Sequence, residues 1–277
     1  MSFLLFVLVG LVVGVTTVLF GFGGGFVTVP VIAVAHAGWG GDAVRVATAT
    51  SALVMLVNAT VATVSTRRAA LQPLARSWML FGLLAVGGAV GAVAARFAPD
   101  QLIRWGFVVY VGATIVDLLI RPGFIRKAPG AVTAGGARVA LVTPALRKTP
   151  QTGVHTWLGL PIGSVAAFLG VGGSVMTVPM MRRAGASMAS AATLANPLTL
   201  AIVAPALVIS SMVRGGMASG PGLVGSVDVL AASGLLLGSI PLVVVMRRRP
   251  PRIPDGVHAW TYVALLIAAG VTVAISG

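Results

Sequence analysis

The sequence predicts an all-α polytopic membrane protein of two inverted repeats, each a glycine-broken helical hairpin followed by three spanning helices. Three observations predict it. Apolar runs of membrane length recur from end to end, one ten-residue motif occurs twice, and the basic residues sort to one side only if the halves are inverted.

Composition identifies the solvent. Of 277 residues, 57% are hydrophobic and only 9% are charged, with a mean hydropathy of +1.03. A soluble domain carries about 25% charged residues because its surface faces water; most of this surface must face lipid. The formal charge of +14 comes from 19 Lys+Arg against 5 acids. In an apolar chain that excess fits the positive-inside bias of membrane proteins. Nucleic acid is not an expected partner, because no stretch interleaves aromatic and basic residues for stacking bases. The absence of cysteine excludes disulfides and thiolate metal sites.

Taken in order, apolar runs cover roughly 3–20, 26–38, 44–65, 77–97 and 101–120 in the first half. They cover 156–169, 175–185, 189–211, 227–246 and 257–276 in the second. The first run lacks a basic n-region and an A-x-A cleavage site, so it is expected to remain in the mature chain. Gly and Pro clusters and nearly all the arginines mark the breaks. Residues 1–120 form the first membrane repeat and 156–277 the second. The polar stretch 121–155, with Arg121, Arg126, Lys127, Arg138, Arg147 and Lys148, is a basic cytoplasmic linker.

Gly21-Phe-Gly-Gly-Gly-Phe-Val-Thr-Val-Pro30 aligns with Gly170-Val-Gly-Gly-Ser-Val-Met-Thr-Val-Pro179, sharing its first glycine, its Gly-Gly pair and Thr-Val-Pro at the same offsets. Further matches follow in the same order. Ala49-Thr50 pairs with Ala192-Thr193, Gly87-xxx-Gly91 with Gly234-xxx-Gly238, and Pro99-Asp100-xxxx-Trp105 with Pro254-Asp255-xxxx-Trp260. The chain is an internal duplication.

Charge orients the copies. Eight plain spanning helices would divide the basic residues ten to nine, which is no bias. If the first segment of each half enters, breaks at the glycines and returns, the halves become inverted. Fifteen basic residues then lie inside and only Arg45, Arg96, Arg104 and Arg214 outside, as the positive-inside rule requires. The returning arm 26–38 would span about 20 Å at 1.5 Å per residue, too short for a crossing. Both termini are expected outside. Trp39, Trp78, Trp105, Trp157 and Trp260 sit near segment ends, where an interfacial belt would place them.

The glycine breaks carry the strongest functional signal. Gly23, Gly24, Gly25 and Gly172, Gly173, Ser174 interrupt apolar helices at equivalent places. Non-helical backbone at membrane depth persists where protein or a polar cavity satisfies it. Each break opens a half-helix whose first N–H groups are unpaired and whose dipole end is positive, which suits an anion. Close packing through small residues is the alternative reading. Polar residues inside apolar helices add to the candidate shell: Thr50, Ser51 and Asn58 on one segment, Thr193 and Asn196 on its counterpart. Hydroxyls and amides bind an anion without adding charge, although interhelical bonding is the competing use.

Charged side chains read as structural. Asp117 lies four residues before Arg121, the spacing of a local ion pair. Asp228 opens a helix, where a carboxylate favours the dipole. Asp42, Asp100 and Asp255 fall in loops; His36, His155 and His258 fall near segment ends as interfacial residues. The Arg247–Arg249 run reads as a topology anchor, and the Gly-xxx-Gly pairs as packing motifs. No H-E-x-x-H, Gly-x-Ser-x-Gly, carboxylate pair or nucleotide fingerprint is present, so no enzyme activity, metal or cofactor is expected.

On the two glycine motifs and Ala47-Thr-Ala-Thr-Ser51, the sequence resembles the sulfite exporter TauE/SafE family, also called toluene sulfonate uptake permeases. The resemblance extends over nearly the whole chain in length and segment order. It implies transport of sulfite, sulfonates or related organic acids across the bacterial cytoplasmic membrane. The second copy departs from the pattern with Ser174 for glycine and Leu194-Ala195-Asn196 after Thr193. The resulting expectation is a secondary carrier of a small anion, with proton or sodium as a possible coupling ion and a homo-oligomer possible. An anion channel and a non-transporting membrane scaffold stay open as alternatives.

Overall fold

The computed structural model describes residues 3–35, 41–125, 154–212, 222–224 and 226–275. The linker residues 126–153, His36, Trp39 and Arg214 lie outside them, as do the side chains of Asp42, Arg45 and Asp100.

In the first half, α1 (Phe3–Phe20) and α2 (Gly25–Ala35) meet at the glycine break, followed by α3 (Gly41–Val64), the short α4 (Arg68–Leu71), α5 (Trp78–Phe97) and α6 (Asp100–Ile120). In the second, α7 (Gly159–Leu169) and α8 (Ser174–Arg183) meet at the other break, followed by α9 (Met188–Met212), α10 (Val229–Arg248) and α11 (Asp255–Ile275). Single 3-10 turns, Gln72–Leu74 and Thr156–Leu158, precede α5 and α7. Two two-residue strands, β1 (Leu223–Val224) and β2 (Val227–Asp228), pair antiparallel just before α10. They are a local departure from the all-helical expectation, made where the chain needs a tight reversal to feed Asp228 into the cap of α10.

Seven helices among the described residues are long and apolar enough to cross a membrane: α1, α3, α5, α6, α9, α10 and α11. The chain is a multi-pass membrane protein. The two hairpins are unequal: α1 reaches 18 residues and qualifies by length, whereas the apolar stretch Thr156–Leu169 is shorter. Both returning arms are short, with 11 residues in α2 and 10 in α8.

The halves are interlocked rather than side by side. Gly87 and Gly91 on α5 bring backbone against backbone with α7. A Cβ at Gly87 would stand 2.9 Å from Ser164 N, and one at Gly91 would stand 3.0 Å from Ala167 Cβ. Their counterparts Gly234 and Gly238 pack against α1, where a Cβ would stand 2.8 Å from Phe6 Cβ and 3.0 Å from Leu11 N respectively. Small residues let helix axes approach until dispersion and Cα–H contacts replace lipid contacts. Each Gly-xxx-Gly motif therefore grips the hairpin of the opposite half.

Directions follow from paired contacts. Thr50 and Asn58 on α3 meet Asp228 and Ser239 of α10 in ascending order, so these two helices run parallel. Thr66, past the end of α3, shares a cavity wall with Thr193 near the start of α9, and Thr193 bonds Arg247 at the end of α10. Helix α9 thus runs against both α3 and α10.

The arginines follow the same geometry. Arg67, Arg121, Arg182, Arg183, Arg247 and Arg248 gather where the C-terminal ends of α3, α6, α8 and α10 meet the starts of α9 and α11. Asp117 pairs with Arg121 at 3.1 Å and with Arg183 at 2.6 Å. Asp255, expected in a loop, instead opens α11; it pairs with the buried Arg182 and accepts from the Met188 N–H at 2.9 Å. At the opposite end Arg104 donates to the carbonyls of Val273 and Ala274, capping the last turn of α11. The exposed tryptophans Trp78, Trp105 and Trp260 lie within the first two turns of α5, α6 and α11, and Trp157 lies in the turn before α7.

Candidate functional site

Left-handed backbone makes the two breaks alike. Gly21, Gly23 and Gly24 have φ of +74°, +64° and +100°; Gly170 and Gly172 have +69° and +71°. Only glycine holds such angles without steric cost. Gly173 departs, with φ −81°, so its constraint is space. A Cβ there would run into Ile202 Cδ1.

The tips converge on one pair of side chains. A Cβ at Gly23 would lie 3.4 Å from Thr199 Cγ2 and 3.5 Å from Met55 O. One at Gly172 would lie 3.0 Å from Thr199 Cγ2 and 3.5 Å from Met55 Sδ. Met55 and Thr199 stand near the middles of α3 and α9, so both breaks fall at the centre of the molecule. The half-helices α2 and α8 start there, each with the unpaired N–H groups of a first turn.

Around these tips, buried polar atoms lack partners. Asn58 Nδ2, Ser174 Oγ, Thr177 Oγ1, Asn196 Oδ1 and Thr199 Oγ1 are all shielded from solvent and hydrogen-bond nothing. Native interiors rarely leave such groups unpaired, because each costs its full desolvation. Five in one neighbourhood mark a place built for something polar. The Ser239 hydroxyl donates to Asn58 Oδ1 at 2.8 Å, which leaves the amide N–H₂ as the free donor. That nitrogen is 3.3 Å from the Cβ position of Gly24. Asn196 Nδ2 donates to Ala192 O at 3.1 Å and Thr17 O at 3.4 Å. Thr28 satisfies itself on Gly24 O at 2.8 Å, whereas its repeat partner Thr177 does not.

The shell is asymmetric. Gly24 faces the Val13 methyl with Asn58 Nδ2 and Thr17 Oγ1 beside it, but its counterpart Gly173 faces Ile202 and Ile162. Polar atoms therefore stand beside the first tip where the second meets methyl groups alone.

Most of the residues singled out by sequence reach this centre. Gly23, Gly24, Gly25, Gly172, Gly173, Ser174, Asn58 and Asn196 lie in or beside it. Ser51 Oγ approaches Gly25 O at 3.5 Å, at the start of α2. Thr50 and Thr193 do not join them. Thr50 Oγ1 accepts from the Asp228 N–H at 2.9 Å, and Thr193 Oγ1 donates to Ala189 O and accepts from Arg247 Nη1, both at 2.7 Å. Six residues of helix separate Thr193 from Thr199, about 9 Å along the axis. Thr177 and Thr199 were missed by sequence. The available signals were the i, i+3 spacing of Asn196 and Thr199 and the place of Thr177 inside the duplicated motif.

His258, expected at the interface, is buried at 5% exposure, with Nε2 2.6 Å from Leu19 O. It seams α11 to the end of α1. Asp228 caps α10 by accepting from the Ala231 N–H at 2.9 Å.

The family model for sulfite exporter TauE/SafE matches residues 6–273. The chain belongs to the sulfite exporter TauE/SafE family. TauE/SafE proteins are membrane transporters, not enzymes. No curated protein and no solved structure gives a significant match to the chain. The match runs through both glycine motifs, so both hairpins belong to the TauE/SafE unit.

Proposed function

We propose that this chain is a secondary carrier of a small oxyanion, with sulfite, an organosulfonate or a related sulfur-containing organic acid as substrate. The carrying observation is the convergence of two glycine tips on Thr199 and Met55 amid unpartnered buried donors. The half-helix N–H groups, Asn58 Nδ2 and the hydroxyls of Ser174, Thr177 and Thr199 would surround the anion. Neutral donors suit a monoanion, whose charge they spread without leaving a buried cation behind when it departs.

The interlock supports alternating access. Each hairpin is gripped by the opposite half, so rocking one bundle moves both tips together. The halves are inverted in this reading, with the arginine-rich end in the cytoplasm and both termini outside a bacterial inner membrane. The opposed courses of α3 and α9 support that orientation. An ion gradient, of protons or sodium, would supply the energy.

Purified protein in liposomes tests the carrier. Sulfite inside should accelerate entry of labelled sulfite, and the rate should saturate. Flux that rises linearly and ignores internal sulfite would identify a channel instead.

A further inference from the structure

Arg247 takes no part in the tip shell. At about 100° per residue, the three arginines ending α10 fan across much of the helix surface, so one must turn toward protein. Arg247 does. Its Nη1 donates to Thr193 Oγ1 at 2.7 Å, while Nε and Nη2 are shielded from solvent and hydrogen-bond nothing. Those two nitrogens form one edge of the guanidinium, the fork that takes two coplanar oxygens of a carboxylate or sulfonate.

Arg247 lines a cavity of about 290 Å³ at the arginine-rich end, together with Thr66, Arg67, Thr193, Arg248 and His258. Among the described residues, no acidic side chain lines it. Asp117 and Asp255, the acids placed at this end, are engaged by Arg121, Arg183 and Arg182. A concave wall with one sign of charge concentrates the opposite ion. The cavity also reaches Val18 and Leu19, the last turn of α1 before its glycine break.

We propose that the Nε–Nη2 edge of Arg247, braced by Thr193, is a second oxyanion seat that receives the transported anion before it reaches the tips. The seat rests on the anion-carrier reading, but its residues are separate from the tip shell. It selects anions presenting two oxygens in a plane, such as carboxylates, sulfonates and sulfite. The same chemistry would hold a lipid phosphate, so the test must separate the two sources.

Equilibrium dialysis of labelled sulfite against lipid-free purified protein counts the seats. Wild type should bind two ions per chain; Arg247→Gln should bind one, and Thr199→Val should hold one of its two at least fivefold more weakly, both without a loss of melting temperature. Arg247→Lys keeps the charge but loses the fork, and should weaken its ion at least tenfold. Two ions on Arg247→Gln or full affinity in Arg247→Lys would overturn the seat while leaving the tips standing. One ion on Arg247→Gln with two at wild-type affinity on Thr199→Val would keep the seat and count against the tips. In nanodiscs, an Arg247-dependent ion that binds in phosphatidylcholine but vanishes in phosphatidylglycerol would assign the seat to a lipid phosphate and overturn its role in entry.

Discussion

Unsatisfied polar atoms make a sharp prediction possible at single residues. Thr199→Val is nearly isosteric and removes a buried hydroxyl without a partner, so the protein should melt at the same temperature or higher. Substrate binding should weaken by about 1–3 kcal/mol, the worth of one hydrogen bond to a charged group. Calorimetric binding and thermal unfolding of the same sample check both halves of that statement; a threonine serving only the fold would lose stability and keep affinity. Among the glycines, backbone angle rather than motif position decides severity. Gly172→Ala forces a left-handed residue and should cost about 1–2 kcal/mol. Gly173→Ala need only displace the flexible tip of Ile202, and a thermal melt should show the smaller loss. The repeat made the tips legible, since glycines at matched offsets survive in two copies. It paired Gly24 with Gly173 as equals, which the φ of −81° at Gly173 does not bear out. Thr199 looked like any threonine in an apolar helix. Only knowing what packs opposite it distinguishes a partnerless hydroxyl from one bonded to the preceding turn, as Thr17 is to Val13 O at 2.7 Å.

Elements were the most readable scale. Helix α5 was expected at 77–97 and is found at Trp78–Phe97; α9 was expected at 189–211 and is found at Met188–Met212. Lipid forces every backbone group into a helix, so hydropathy reports directly on the element. Pairing between elements was less readable, because it depends on which small-residue faces meet. The Gly-xxx-Gly motifs announced a close contact but not its partner, the opposite half's hairpin. Gly87→Val would push a branched side chain into the backbone of Leu160 and Ser164. It should lower the melting temperature and the yield in detergent, while the protein that remains folded binds sulfite with near-normal affinity. The ion pair of Arg182 with Asp255 joins α8 to α11 at the basic end. Asp255→Asn removes the counter-charge of an arginine side chain that is 1% exposed, leaving it hydrogen bonds to Phe124 O and Ala186 O. Breaking such a pair costs about 3–5 kcal/mol, which denaturant unfolding would register.

At the scale of the whole molecule, charge is tied to chain direction. Counting basic residues divided the chain fifteen to four, and the described arginines of the larger group that make contacts do gather at one end of the bundle. Which end faces the cytoplasm is a matter for labelling: cysteines at Ala69 and Ala184 should resist an impermeant reagent applied from outside, and one at Ala98 should react. Reaction of Ala184 and Ala98 from the same side would undo the inverted orientation. The tips themselves are tested most directly by locating a bound anion. Selenite is a heavier analogue of sulfite, and crystals grown with it would show its position by anomalous scattering. A selenium peak between Gly23 and Gly172, within hydrogen-bonding reach of Asn58 Nδ2 and Thr199 Oγ1, is the result this account predicts. Selenium confined to the Arg247 vestibule or the surface, with those donors still unpartnered, would contradict it.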